Sequence, residues 1–383
     1  MTEKIKTGLI GCGKIGLTHA TALSKIQECE FAAVCDPSPD RVAAFSQQFH
    51  VNGFNRLEDM LASQALQAVV VCTPHPLHAS LAVQSARAGA NILVEKPMAV
   101  TLKECDEMIS AARSAGVKLG VVSQRRLVSP VQRVKSAIED GKIGRPVLAT
   151  VVVLGWRDEA YYQSDPWRGT WADEGGGVLV NQTPHQLDLL QWFMGPVDEL
   201  FGYWENLNHP YIEVEDTAIA AIRFKNGGLG SIVVSNSQNP GLFARVHVHG
   251  ENGYSIGVQT DGGSMFIAGM TAVQDPPVND IWTVPGEDQE LSAWQAEDRE
   301  IYNRIDPATY YHFLQDQDFI RSILENRPPL VSGEEGRKVV EISTAIYRSQ
   351  RDRSPVKFPL PVDAGSQDFD GRLVQYGSHQ ART

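Results

Sequence analysis

Three glycines follow an apolar segment near the start of the chain, at Gly11, Gly13 and Gly16, with Lys14 and Ile15 before the last of them. Gly11 suits a tight turn, Gly13 lets the backbone approach a pyrophosphate, and Gly16 allows close packing of the helix that follows. The N-terminus of that helix supplies free N–H groups and a positive dipole for phosphates. The spacing indicates a dinucleotide site, and a glycine-rich turn without a ligand is the alternative.

An acidic residue, Asp36, ends the next apolar segment, 20 residues after Gly16. A carboxylate at this position accepts hydrogen bonds from ribose hydroxyls of a bound dinucleotide. Because the same charge repels a 2′-phosphate, the sequence favours NAD over NADP. Arg41 weakens this preference, although a solvated charge on a helix is the simpler interpretation of that residue.

An acid and a base, Glu95 and Lys96, stand between the apolar run 92–94 and Pro97. Charges at the end of a buried strand are costly to desolvate unless they are paired or used. The pattern therefore favours a functional pair, and a surface salt bridge of Glu95 with a neighbour is the alternative.

A second polar set follows the triple glycine 175–177. On a helix, Asn181, His185 and Asp188 fall at i, i+4 and i+7 and share one face. The unperturbed pKa of histidine, about 6.5, suits proton transfer near neutral pH. A histidine on an apolar helix is often a satisfied core group, but three aligned polar side chains favour a functional role for His185.

The elements that must position these residues form two patterns, the first of which is an alternation of apolar strands and helices. Strands are predicted at 4–10, 31–36, 68–74, 91–97 and 117–123, and helices at 16–28, 39–49, 56–63, 78–88 and 101–116. Apolar strands separated by helices indicate a doubly wound parallel sheet covered on both faces. Such sheets bind ligands at the carboxyl ends of their strands.

The second pattern begins after residue 125 and predicts an α+β domain with an open, largely antiparallel sheet, because alternating strands flank an Asn226-Gly227 turn. Helices are predicted at 131–141, 177–194, 310–325 and 333–350, strands at 146–156 and near 354–360, and loops over much of 260–300. The predicted domains are 1–125, 126–360 and a polar C-terminal tail, 361–383.

Composition excludes several classes of protein. A chain of 383 residues is too long for one ordinary core, and 42% hydrophobic with 21% charged residues is typical of a folded globular protein. The net charge of −12 argues against nucleic acid or an anionic membrane as a partner. No apolar run reaches the ~18 residues of a membrane span. The start shows no signal peptide, and the five cysteines lack CxxC spacing, so we expect free thiols in the cytoplasm.

Taken together, these features resemble the Gfo/Idh/MocA oxidoreductases over nearly the whole chain. The resemblance rests on the glycine motif, the segment 73–78 (TPHPLH), Glu95-Lys96-Pro97, the segment 175–188 (GGGVLVNQTPHQLD) and the segment 332–349. It implies an N-terminal Rossmann domain and an NAD(P)-dependent dehydrogenase that acts on CH–OH groups of a sugar, glycoside or cyclitol.

The resemblance also implies roles for individual residues. Lys96 would lie between the nicotinamide and the substrate hydroxyl and join a proton relay, with its pKa lowered by desolvation, and His185 would be the general acid/base. Glu95 would help form the cofactor site, and the bond before Pro97 is often cis in the family. The further cofactor contacts implied are Thr73, Pro74, His78 and Gln124.

Asn181 departs from the family pattern, because many members have an aspartate four residues before the histidine. An amide can orient a substrate hydroxyl or His185 but cannot accept a proton as a carboxylate does. The departure leaves the Lys96–His185 pair intact and argues against an inositol dehydrogenase. Asp188 is interpreted as a structural acceptor behind the site.

The predicted substrate contacts are Asn181, Arg126, Trp167, Arg168 and His312. The aromatic face of Trp167 and the guanidinium of Arg168 suit a sugar ring, with a place in the domain-interface core as the alternative. No second glycine-rich anion loop is present, so a phosphorylated or nucleotide-linked sugar is disfavoured. No convincing set of metal ligands is found, and no metal is predicted.

Three functions remain open from the sequence. The first is an NAD-dependent dehydrogenase of a sugar or cyclitol, and the second is a lyase or glycosidase that oxidises its substrate transiently and retains the cofactor. The third is a non-catalytic nucleotide or sugar sensor, against which the presence of both Lys96 and His185 argues. The resemblance implies a homodimer or homotetramer.

Overall fold

The computed structural model describes residues 4–262, 275–361 and 368–373. Within these residues the strands form one six-stranded and one eight-stranded sheet. Most of the predicted C-terminal tail, 362–367 and 374–383, lies outside the described residues.

The first sheet is parallel throughout, with the order β3-β2-β1-β4-β5-β6. Its strands are β1 Ile5–Ile10, β2 Cys29–Cys35, β3 Asn52–Phe54, β4 Ala68–Val71, β5 Asn91–Val94 and β6 Leu119–Val121. All four residues of the central strand β4 are buried, as expected for a sheet covered on both faces. The predicted doubly wound parallel sheet is confirmed, and the short edge strand β3 was missed.

Helices alternate with these strands as predicted. They are α1 Lys14–Leu23, α2 Pro39–Phe49, α3 Leu57–Gln64, α4 His78–Arg87 and α5 Leu102–Ala115. Helix α5 begins with a capping box of Thr101 and Glu104 and ends at Gly116, whose φ is 68°. Helix α1 begins after Gly13 with no side-chain cap, so its first N–H groups remain available to an anion.

The second sheet is mixed and mostly antiparallel, with the order β13-β12-β11-β7-β10-β9-β8-β14. Its strands are β7 Pro146–Leu154, β8 Val197–Glu205, β9 Thr217–Phe224, β10 Leu229–Ser235, β11 Phe243–Gly250, β12 Ser255–Gly262, β13 Val278–Trp282 and β14 Val356–Lys357. Strands β7 and β10 pair in parallel. The β9–β10 hairpin turns at Asn226, whose side chain accepts a hydrogen bond from the N–H of Gly228 at 2.8 Å.

The helices of the second half include one that packs against strands of both sheets. They are α6 Ser129–Glu139, α7 Glu159–Gln163, α8 Pro184–Met194, α9 Leu291–Arg304, α10 Pro307–Leu324 and α11 Gly333–Asp352. Helix α10 packs against α1, and α11 packs against both β6 and β8. The C-terminal helices thus contact the first sheet, and the division of the chain at residue 125 stays a prediction.

Two predictions of secondary structure were wrong. The helix predicted at 177–194 begins only at Pro184, and a π-helical turn, Val178–Gln182, precedes it. There the Glu215 carboxylate accepts hydrogen bonds from the N–H groups of Gly177 and Leu179 at 2.9 and 3.0 Å. A residue from another segment therefore stabilises this turn. The loops predicted over 260–300 include β13 and α9, whereas 263–274 lie outside the described residues.

Among the described residues, no helix combines the length and the apolar character needed to cross a membrane. The five cysteines are buried and free, as predicted from their spacing.

Candidate active site

The glycine-rich loop between β1 and α1 leaves open space at one position only. Gly11 has a φ of 101°, and a Cβ there would lie 2.5 Å from the carbonyl oxygen of Cys72. A Cβ at Gly16 would lie 2.0 Å from the carbonyl oxygen of Gly11. A Cβ at Gly13, in contrast, would meet no described atom within 4 Å. Packing therefore explains Gly11 and Gly16, and the space beside Gly13 is left for a ligand.

Asp36 follows β2 at the edge of the sheet where the glycine loop lies. Its Oδ2 accepts a hydrogen bond from the N–H of Cys12 at 2.9 Å, and Oδ1 accepts one from Ser38 at 2.9 Å. These bonds fix the carboxylate beside the loop and leave each oxygen a further lone pair for a hydroxyl. Two further predicted contacts, Thr73 and Gln124, carry buried side-chain oxygens without a hydrogen-bond partner among the described residues.

These features fit a bound dinucleotide. Lys14 and Pro74 are exposed and Ile15 is half-buried around the loop. His78 differs from them, because it is buried and its ring nitrogens lie 2.9 and 2.8 Å from the carbonyl oxygens of Pro97 and Thr73. His78 therefore connects the loop that contains Thr73 with the loop that contains Pro97.

Glu95 lies at the centre of a buried charged cluster. Its Oε2 accepts the N–H of Lys96 at 2.9 Å, and its Oε1 lies 3.0 Å from Nε2 of His19, whose Nδ1 lies 2.9 Å from Asp316. Burial opposes a charge on His19, but Asp316 and Glu95 raise its pKa to about 10. Although burial alone would raise it, the His19 cation holds the pKa of Glu95 well below its usual range.

His312 belongs to the same buried cluster. Its Nδ1 donates to the carbonyl oxygen of Ala308 at 3.0 Å, and Nε2 lies 3.8 Å from Glu95. Burial, and then the His19 cation, lower the pKa of His312 to about 4. One ligand atom each of His19, Glu95 and His312 lies within 4.8 Å of the others, but both ring nitrogens of His19 already face carboxylates.

Lys96 extends from the loop after β5 toward the π-helical turn, and its peptide bond to Pro97 is cis. Its Nζ donates to the carbonyl oxygen of Asn181 at 3.0 Å and to the side-chain Oδ1 of Asn181 at 3.2 Å. Burial lowers the pKa of Lys96, and the Glu95 carboxylate partly offsets that effect. The structure thus brings Lys96 and Asn181 together.

His185 lies on the first turn of α8 and lines the same cavity as Lys96. Its half-buried ring forms no hydrogen bond to any side chain or backbone group of the described residues. Burial, followed by the charges of Lys96 and Arg125, holds its pKa well below the ordinary value. At neutral pH the ring is therefore uncharged and able to accept a proton.

The carboxylate of Glu174, which precedes the triple glycine, contacts the other end of the Asn181 side chain. Nδ2 of Asn181 donates to Oε1 of Glu174 in a short hydrogen bond and to the Tyr161 hydroxyl at 3.2 Å. Glu174 is 1% exposed, and burial raises its pKa to about 7. Glu174 is not among the predicted site residues, although an acid directly before a glycine bend is a usable signal.

Arg126 and Asp188 form a buried ion pair, and Asp188 lines the cavity that Lys96 and His185 share. Nε of Arg126 donates to Oδ2 of Asp188 at 2.7 Å, and Nη2 donates to Oδ1 at 2.6 Å. The Ser123 hydroxyl donates to the same carboxylate at 2.6 Å. Arg126, predicted as a substrate contact, is 2% exposed and engaged by Asp188 and Glu335.

Trp167 and Arg168 lie together on the segment before the triple glycine. The Arg168 guanidinium lies 4.4 Å from the centre of the Trp167 ring and 4.3 Å from that of Tyr161. The Trp167 ring also contacts the ring of His75, with 5.2 Å between centres. Both predicted residues are half-buried, so each has surface left for a ligand.

Two family models match the chain. Residues 5–123 match the oxidoreductase family with an NAD-binding Rossmann fold, and residues 131–255 match the GFO/IDH/MocA C-terminal domain. The chain belongs to the Gfo/Idh/MocA family of oxidoreductases. The predictions of a dehydrogenase and of an NAD-binding Rossmann domain are thereby confirmed.

Three of the similar proteins in the Gfo/Idh/MocA family are named dehydrogenases. The WlbA dehydrogenase from Bordetella pertussis, solved with NADH and UDP-GlcNAcA, is 33% identical and superimposes with a TM-score of 0.79 over 94% of this chain and 100% of that chain. Myo-inositol 2-dehydrogenase of Thermotoga maritima is 26% identical over 92% of this chain and 98% of its own length. D-apiose dehydrogenase of Paraburkholderia graminis is 26% identical over 93% and 90%.

Within this Gfo/Idh/MocA chain, sequence reasoning missed three residues around the predicted pair. The ring of His19 bonds both Glu95 and Asp316. Glu174 accepts a hydrogen bond from Asn181. His19 and Asp316 lie 297 positions apart on different helices, and no local pattern marks either of them.

Proposed function

We propose that this chain is an NAD-dependent oxidoreductase that transfers hydride between nicotinamide and a hydroxyl-bearing carbon of a sugar, glycoside or cyclitol, with a Lys96/His185 proton relay. The observation that carries the proposal is the pairing of two unlike groups in one cavity. Lys96 is a hydrogen-bond donor, and His185 is a neutral ring without a partner in the described parts of the chain.

Residues around the glycine loop would hold the cofactor. The open space at Gly13 and the uncapped start of α1 suit the pyrophosphate, and the Asp36 carboxylate suits the ribose hydroxyls. When bound, NAD supplies the nicotinamide carbon that accepts or returns hydride.

Lys96 and His185 would have different roles at the substrate hydroxyl. The Lys96 ammonium donates a hydrogen bond to the substrate oxygen and favours its ionisation, because a nearby positive charge stabilises the anion. His185 accepts the hydroxyl proton as the C–O bond becomes a carbonyl, and it returns that proton in reduction. A side chain that transfers a proton in this way contributes roughly 10²–10⁴-fold to the rate.

The substrate ring would lie against Trp167 and Arg168. An indole face covers the apolar face of a sugar ring, and a guanidinium donates to its hydroxyls. The guanidinium of Arg168 lies 4.4 Å from the centre of the Trp167 ring, and this packing supports that surface.

A nucleotide-linked sugar is a second candidate substrate. The absence of a second glycine-rich anion loop in the sequence disfavours it. The 33% identity to WlbA dehydrogenase, whose structure contains UDP-GlcNAcA, favours it. Both classes therefore belong in the first assay.

The test is growth of reduced-nicotinamide absorbance with NAD, then NADP, over aldoses, glycosides, cyclitols, sugar acids and UDP-linked sugars. With the substrate found, Lys96→Ala should lower turnover by about two orders of magnitude or more while NAD binding is retained. Lys103→Ala is the control, because that side chain is 70% exposed on α5.

Unchanged turnover in Lys96→Ala would contradict the relay. No reduced cofactor with any substrate, from protein that retains the dinucleotide tightly, would favour the self-regenerating lyase or glycosidase, or the sensor.

A further inference from the structure

The position that carries an aspartate in many family members is Asn181 here, and a carboxylate lies directly behind it. Asn181 Oδ1 accepts from Lys96 Nζ at 3.2 Å, and Nδ2 donates to Glu174 Oε1. The amide therefore connects a cation in the cavity with an acid that is 1% exposed.

The two ends of the amide are chemically unlike, which makes its orientation depend on both neighbours. An ammonium only donates hydrogen bonds, so Lys96 requires the amide oxygen. An ionised carboxylate only accepts them, so Glu174 requires the amide NH₂. A flipped amide would turn its NH₂ group toward the Lys96 ammonium and its oxygen toward the carboxylate.

We propose that Glu174 is a positioning residue for the reaction, whose ionised carboxylate holds the Asn181 amide with its oxygen toward Lys96 and supplies the negative charge that an aspartate would otherwise bring. The proposal rests on the function proposed above for Lys96. Glu174 itself contacts neither substrate nor cofactor and transfers no proton, since an amide does not relay one as a carboxylate does.

The surroundings of Glu174 allow it to be charged although it is buried. The N–H of Gly169 donates to Oε2 at 2.5 Å, and Arg168 and Lys96 are the cations nearby. Three phenols also face Glu174: those of Tyr161 and Tyr162 from α7 and that of Tyr347 from α11. The remaining titratable neighbour among the described residues is His75, whose ring Nδ1 lies 2.9 Å from the backbone carbonyl oxygen of Glu174.

A pH dependence follows from this balance. Above the pKa of Glu174, about 7, the carboxylate is ionised and the amide is held. Below it, the protonated acid becomes a donor and competes for the amide oxygen. The negative charge near Lys96 is then lost, and Lys96 keeps the backbone carbonyl of Asn181 as acceptor but not a fixed amide oxygen. His185 does not account for such a step, because its pKa lies well below 6.5.

The decisive experiment measures Lys96 directly and needs no substrate. Trace acetylation with acetic anhydride over pH 6–10, quantified for the Lys96 peptide by mass spectrometry, compares wild type with Glu174→Gln. Removal of the negative charge should lower the pKa of Lys96 and raise its labelling at pH 8 by about threefold, the effect of half a pKa unit. Asp173→Asn, an exposed neighbour, is the matched control and should change nothing, and Lys103 is the internal reference.

A labelling curve for Lys96 in folded Glu174→Gln that matches wild type would overturn the proposal. If that variant does not fold, Asn181→Ala carries the test, because it removes the connecting amide and should raise Lys96 labelling in the same direction. Where Glu174→Gln folds, its addition to Asn181→Ala should raise Lys96 labelling by less than its addition to wild type does. Equal additions in both backgrounds would also overturn the amide connection.

Once a substrate is known, the kcat profile gives a second readout. The kcat of wild type should decrease as pH falls through about 7, and the kcat of Glu174→Gln should not show this decrease. In Glu174→Gln the decrease in kcat should also be larger than the increase in KM. A shifted labelling curve without dehydrogenase activity toward any sugar would refute the proposed function and leave the positioning intact. Dehydrogenase activity together with an unshifted Lys96 labelling curve would refute the positioning role of Glu174 and leave the proposed function intact.

Discussion

The Lys14 ammonium, in the glycine-rich loop, lies 3.1 Å from the carboxylate of Asp165, a residue 151 positions further along the chain. Asp165 also accepts a hydrogen bond from Nε of Arg168 at 3.2 Å. The ion pair therefore connects the loop that would hold the pyrophosphate with the aromatic segment that would face the substrate.

Asp165→Asn should speed cofactor release. The pair is partly exposed, and such pairs contribute roughly 0–1 kcal/mol, so an increase of up to about fivefold in the NADH dissociation rate is expected. Stopped-flow fluorescence measures that rate, with Asp173→Asn as control. A rate equal to that of wild type would mean that the pair does not restrain the cofactor.

Gly13→Ala should weaken NAD binding without unfolding the protein. The added methyl group meets no described atom within 4 Å and occupies the space left for the pyrophosphate. Gly16→Ala provides the contrast, because its Cβ would lie 2.0 Å from a carbonyl oxygen and should lower the Tm. Calorimetry gives both Kd and Tm, and tight NAD binding by Gly13→Ala would place the cofactor elsewhere.

Asp36→Ser should shift cofactor preference toward NADP. The substitution removes the charge that repels a 2′-phosphate and keeps a short polar side chain near the Cys12 N–H group. We expect the ratio of the Kd values for NAD and NADP to change by about tenfold, or ~1.4 kcal/mol. Asp40→Ser, an exposed residue of α2, is the control. A ratio that stays constant would contradict the assignment of Asp36.

The free energy of unfolding should decrease at alkaline pH, because His19 then loses its positive charge. Its pKa rises from about 6.5 in the unfolded chain to about 10 in the folded one. The stabilisation is therefore complete below pH 6.5 and is lost as pH rises toward 10. Urea unfolding at pH 6 to 9 measures this loss as a decrease in the free energy of unfolding.

His19→Gln should be less stable than wild type at pH 6, by roughly 3–5 kcal/mol for a broken buried ion pair, and should lose less stability between pH 6 and 9. His50→Asn, exposed after α2, is the control. Parallel pH profiles of wild type and His19→Gln would show that His19 is uncharged in the folded protein.

Local patterns in the sequence predicted the parts of this protein that depend on a few neighbouring residues. Gly11, Gly13 and Gly16 predicted the loop, because a tight turn and a close helix approach each require a residue without a Cβ. Asp36 and Lys96 were found from their places after buried strands, since parallel strands deliver their C-terminal residues to one edge. The capping box at Thr101 defined the start of α5 within one residue.

Contacts between distant segments were decided by the tertiary structure alone. The sequence placed Asn181, His185 and Asp188 on one helical face, but the folded chain directs Asn181 toward Lys96 and Glu174, and Asp188 toward Arg126. The reason is that Glu215, from another segment, holds the π-helical turn and so changes the direction of Asn181 relative to α8. A side chain's partner depends on which segments pack beside it, and the spacing of residues along one helix does not contain that information.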